Sequence, residues 1–181
     1  EKLPWGGDVA EASVLSCLPV FGDIPLLRYY FELFAKSQAH LGTGRIPALA
    51  IADHPGNHFI HPLRTAVIMA EYGFWCEDEK NYKEMMIPML KEFMAYLRGR
   101  TDSQGLLSVE EGESTWVDHV RGSCSMDISA NANLLYALLL ERASSMMKAY
   151  GEKSLSIEYS MRASHVKERL KTAFLDANTG L

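Results

Sequence analysis

Apolar residues in this chain recur at steps of three and four almost from end to end, and that pattern leaves little room for anything but helix. Leu27, Tyr30, Phe31 and Phe34 follow it, as do Met86, Leu90, Phe93 and Leu97. Each set falls on one face of a helical turn. No stretch alternates with a period of two for long, so strands are expected to be few and short. The fold class that follows is all-α.

Punctuation residues set the helix boundaries. Asp8 to Phe21 reads as one helix, with Val14, Leu15 and Leu18 on one side. Asp23 is placed to cap a second. A third runs from about Phe59 to Tyr72, with Gly73 as its stop. The fourth ends at Gly99, and Pro88 predicts a kink or a late start there, because proline brings no N–H to the ladder. Asp127 caps a fifth that closes at Gly151, and a sixth spans roughly Leu155 to Leu175. These helices fall into three consecutive pairs of about sixty residues, a helical-hairpin repeat without obvious sequence repetition. Tyr29, Tyr30 and the methionines of the fourth helix are expected in the core, and Trp75 behind the third helix.

Two connections are too long to be turns: Leu41 to His58 and Thr101 to Met126. Connections of that length in a compact helical domain are functional or disordered, and the aromatic, histidine and carboxylate content of these two favours function. If the hairpins are arranged around an axis, both connectors and the opening EKLPWGGD, Glu1 to Asp8, gather on one rim as the floor and walls of a pocket.

Composition narrows the function classes. A net charge of −5 provides no basic face for phosphates, so no nucleic-acid partner is expected. LLYALLL, Leu134 to Leu140, is far too short to span a membrane. Cys17, Cys76 and Cys124 are odd in number, widely spaced and form no C-x-x-C pair. Buried free thiols are expected rather than structural zinc or a disulfide framework.

Several motifs, taken in order, resemble those of glycoside hydrolase family 78, the α-L-rhamnosidases. EKLPWGGD resembles the family's E-[RK]-L-x-W-x-G-D segment, and TGRIPA, Thr43 to Ala48, its D-G-R-[VI]-P-A loop. NYKEMMIPMLKEFMAYLRGR resembles a family helix of the type LREMYPAMKRWVDYL, and STWVDH falls where the family carries a G-D-W aromatic. ISANANLLYALLLERA through LKTAFLDANTG is similar to the next hairpin, including its closing F-x-D-x-x-T-G. The resemblance covers nearly all 181 residues. It implies a partial (α/α)6 barrel, with residues 1–181 supplying three of six hairpins and starting inside a motif. The remaining hairpins and flanking β domains would lie outside this chain.

The resemblance also implies a chemistry. Inverting glycoside hydrolysis needs a carboxylic acid to protonate the leaving oxygen and a carboxylate to activate water, the two spaced by roughly 6.5–9.5 Å. The family's general acid aligns with Glu1. A carboxyl beside Trp5 and Leu3 is partly desolvated, which raises its pKa and keeps its proton near neutral pH. Asp8 aligns with a family aspartate that binds sugar hydroxyls, and at a helix start it stays ionised; read from the sequence alone, it is a helix cap. Trp5 and Trp116 offer apolar faces to a sugar ring, and Asp118 and His61 complete the candidate substrate contacts. The expected partner is a rhamnose-containing glycoside or polysaccharide, with no cofactor.

Asp53, His54, His58 and His61 are residue types that ligate metals, but their spacing matches no familiar pattern and Pro55-Gly56 reads as a turn. A sugar-contacting loop without metal is the expectation. The chain also departs from the family. Where relatives show W-x-D near the start of the third helix, it reads Ile60-His61-Pro62, with Phe59 and His61 as the substitutes. Pro4 and Gly6 stand where Gly and Thr are common. These changes bear on sugar specificity. Glu110, Glu111, Glu113 and Asp118 are within reach of the rim, yet no motif marks one as the general base, which the family carries in later hairpins. Residues 1–181 alone are therefore expected to be inactive, and their open side to favour homo-oligomers. The alternatives are another six-hairpin carbohydrate-active enzyme and a non-catalytic helical scaffold that binds a protein partner.

Overall fold

The described residues of the computed structural model are 6, 20, 24–50, 58–72, 80, 82–110, 113 and 130–175. Five α-helices organise them: α1 (Ile24–Leu41), α2 (Ile60–Tyr72), α3 (Ile87–Gly99), α4 (Ala130–Ala149) and α5 (Lys153–Phe174). Among these residues there is no strand, and the fold class is all-α.

The apolar stripes explain the packing. On α1, Leu27, Phe31 and Phe34 are fully buried and Gln38 continues their line. Tyr30 is half-buried, but Tyr29 is 55 % exposed, so the expectation that it belongs to the core is corrected. Two residues beyond Leu27, it lies on nearly the opposite side of the helix, about 200° round. α2 is buried almost all the way round, from Ile60 and His61 through Met69 and Tyr72. A helix of that kind belongs in an interior layer. α4 lies against both α2 and α5. On α5 only Ser156, Tyr159, Ala163, Val166 and Leu170 are buried, the narrow stripe of an outer helix.

Pro88 gives a late start rather than a kink. Tyr82–Met86 form a π-helical turn, and α3 begins at Ile87, so Pro88 falls in the first turn, where no intrahelical N–H bond is lost. The π turn is pinned from outside. Tyr82 donates its hydroxyl to the Met69 carbonyl at 2.9 Å, and its ring stacks on Tyr150 at 5.1 Å. Met86, Met89 and Met94 are buried as expected, while Met85 is partly buried.

α4 stops at a Schellman motif. Gly151, at φ +84°, donates to the Lys148 carbonyl, and the Glu152 amide reaches the Met147 carbonyl at 2.8 Å. The left-handed backbone there is open to glycine at no steric cost. The helix read over Asp8–Phe21 apart from Val20, the caps Asp23 and Asp127, Trp75 and the three cysteines lie outside the described residues.

Candidate functional site

The first connector leaves α1 and is fastened at once. Gln38, buried in the last turns of α1, donates through Nε2 to the Gly44 carbonyl at 2.7 Å and to the Met89 carbonyl of α3 at 3.2 Å. TGRIPA is thereby moored between α1 and α3. Its last carbonyl, on Ala48, accepts the Gly6 amide at 2.8 Å. Two motifs that carry the family resemblance therefore touch through one backbone bond. The contact requires glycine at position 6. A Cβ there would lie 2.2 Å from Thr65 Oγ1 and 3.4 Å from both the His61 carbonyl and Phe34. Thr65 holds its hydroxyl in that space by donating to the His61 carbonyl at 2.9 Å. Glycine at position 6 thus has a local steric reason.

The second connector begins as a tight reversal after α3. Asp102 Oδ1 accepts the amides of Gln104 and Leu106, and its own amide donates to the Leu106 carbonyl. This is the aspartate-anchored turn that a short side-chain oxygen makes easy. Asn133, fully buried near the start of α4, grips Leu107 at both ends: Oδ1 accepts its amide at 2.7 Å and Nδ2 donates to its carbonyl at 3.1 Å. His165 of α5 meets the Gln104 carbonyl at 2.8 Å.

The two connectors meet at a carboxylate. Glu113, 6 % exposed, takes Arg100 in a bidentate grip, Nη1 to Oε1 at 3.0 Å and Nη2 to Oε2 at 2.6 Å. Arg45, from TGRIPA, approaches the same Oε1 at 3.3 Å. The Glu110 amide donates to Oε2 at 3.1 Å. Arg100 also donates to the Tyr96 hydroxyl and the Ser108 carbonyl, and its guanidinium lies 4.4 Å from the centre of the Phe59 ring. Fork-to-fork geometry with an aromatic platform is what arginine, and not lysine, provides.

Burial opposes the Arg100 charge, but hydrogen bonds to Glu113 and Tyr96 outweigh it and raise its pKa above the ordinary value. Burial also pushes the Tyr96 phenol up, against the pull of Arg100. With both oxygens engaged, Glu113 has a structural role at the junction.

Among the predicted site residues, His61 is described. It is 5 % exposed in the first turn of α2, with its ring 5.7 Å from that of His58 and nearly perpendicular to it. Glu1, Trp5, Asp8, Trp116, Asp118, Asp53, His54 and Glu111 lie outside the described residues. No group of three or more His, Cys, Asp or Glu among the described residues is placed to hold a metal ion. Arg45, Arg100 and Tyr96 are the residues sequence reasoning missed. Arg45 alone left a signal, its place inside TGRIPA. A separate groove of ≈ 170 Å³ between α3 and α5 is floored by Met94, Ala95, Leu155 and Tyr159. Comparison of the sequence with models of known protein families and with curated proteins finds no match.

Proposed function

We propose that this chain is part of an inverting glycoside hydrolase of six-hairpin type acting on terminal α-L-rhamnosides. The observation that carries the reading is the Gly6–Ala48 hydrogen bond, because it joins the opening acidic motif to TGRIPA. In this reading Glu1 is the general acid, its proton retained beside Trp5 and passed to the departing glycosidic oxygen. Asp8, Trp5, Trp116, Asp118 and His61 bind the sugar. The base that activates water is supplied by later hairpins, so turnover belongs to a longer protein, and an all-helical partial (α/α)6 barrel is its scaffold. The departures at Ile60-His61-Pro62 make a different sugar the natural variant of the proposal.

The test is hydrolysis of an aryl α-L-rhamnoside by the longer protein, with Glu1→Gln alongside. Release of the aryl group, lost in the variant, supports the reading; turnover of a different glycoside moves it to another six-hairpin enzyme. A binding scaffold is the second reading. It draws on Ile157 and Met161, one turn apart on α5 and 63 % and 69 % exposed.

A further inference from the structure

We infer that Glu113 is a latch coupling the two connectors, so that order in one is transmitted to the other through a single buried carboxylate. This goes beyond the proposed activity and stands whether or not the chain acts on glycosides. Each connector has local moorings of its own: Gln38 and the Gly6 amide for the first, Asp102, Asn133 and His165 for the second. Past Ser108 the fastening passes to charged groups. Glu113 accepts from Arg100, from Arg45 and from the Glu110 amide, and Glu110 itself reaches Arg100 Nε at 3.3 Å.

The contacts make the latch asymmetric. The Arg100 and Arg45 guanidinium groups share one carboxylate oxygen, so Glu113 ties the two sides of the junction together, and Glu110 adds a second carboxylate on Arg100 alone. Take the carboxylate away and the two cations lose the oxygen they share, with Glu110 left on the Arg100 side. The two connectors then lose their common anchor and loosen together. Take Arg45 away instead and a matched pair remains, so only the first connector loosens. In the sequence, Trp116 and Asp118 follow Glu113 by three and five residues. As a positioning residue, the latch therefore fixes the point from which that segment departs.

Site-resolved amide hydrogen exchange on the 181-residue chain tests this. The reporters are the Gly6 amide, bonded to the first connector, and the Glu110 amide, bonded to Glu113, with Leu139 and Leu140 of α4 as core references. In Glu113→Gln both reporters accelerate by roughly tenfold or more while the references hold. Glu113→Asp, which keeps the charge, leaves both closer to wild type. In Arg45→Gln the Gly6 amide accelerates and the Glu110 amide does not. Acceleration of Glu110 alone in Glu113→Gln, or of the references by the same factor, overturns the latch. If Glu113→Gln does not fold, Arg45→Gln decides: an unchanged Gly6 amide overturns it.

Discussion

Arg100 and Glu113, thirteen residues apart, form a two-point ion pair at 3.0 and 2.6 Å with both side chains buried. Removing Arg100 takes away two of the hydrogen bonds on the buried Glu113 carboxylate and leaves it to Arg45 and the Glu110 amide. Arg100→Ala is expected to cost about 1–3 kcal/mol, measured by chemical denaturation. Arg100→Lys recovers only part of that, because an ammonium cannot match both oxygens or stack on Phe59.

Gly6 and Thr65 compete for the same space. Gly6→Ala is expected to destabilise by about 1–3 kcal/mol through overpacking. Thr65→Ala removes the opposing Oγ1, so the double variant should lose less than the sum of the singles. A thermal-unfolding double-mutant cycle reads that coupling directly, and strict additivity would contradict the contact.

Asn133 satisfies the Leu107 amide and carbonyl at once. Asn133→Leu leaves both backbone groups buried without this partner, at a cost of about 1–3 kcal/mol each. Asn133→Asp can still accept from the amide but cannot donate to the carbonyl, so an intermediate loss is expected in equilibrium unfolding.

Tyr96, Tyr136 and Tyr159 all have phenol pKa values raised above 10.0, burial being the largest cause at each. The folded chain therefore keeps protons that the unfolded chain surrenders. The resulting stability is fully present below pH 10.0 and is lost as pH rises through the higher folded values. Denaturation midpoints followed alongside phenolate absorbance should fall together above that point. Ordinary phenol titration with unchanged midpoints would contradict the assignment.

What could be read in the sequence was what local spacing determines. Leu27, Phe31 and Phe34 on α1 and Leu90, Phe93 and Leu97 on α3 follow a period that burial enforces. Pro88 announced a kink or a late start, because its missing N–H fits a first turn and breaks a later one, and the helix takes the late start. The π turn at Tyr82 escaped notice, since partners on other elements, Met69 and Tyr150, hold it. The Glu113 junction escaped for the same reason. Arg45, Arg100 and Glu113 lie on three separate segments, and nothing in a run such as EEGE says which carboxylate turns inward. At the candidate site the spacing placed the connectors but not their pairing.

The stereochemistry of the first-formed sugar tests the central claim most directly. Proton NMR of an aryl α-L-rhamnoside during early turnover by the longer protein should show β-L-rhamnose appearing first, with the α anomer growing in only by mutarotation. First release of the α anomer, or no release of rhamnose at all, would contradict the account.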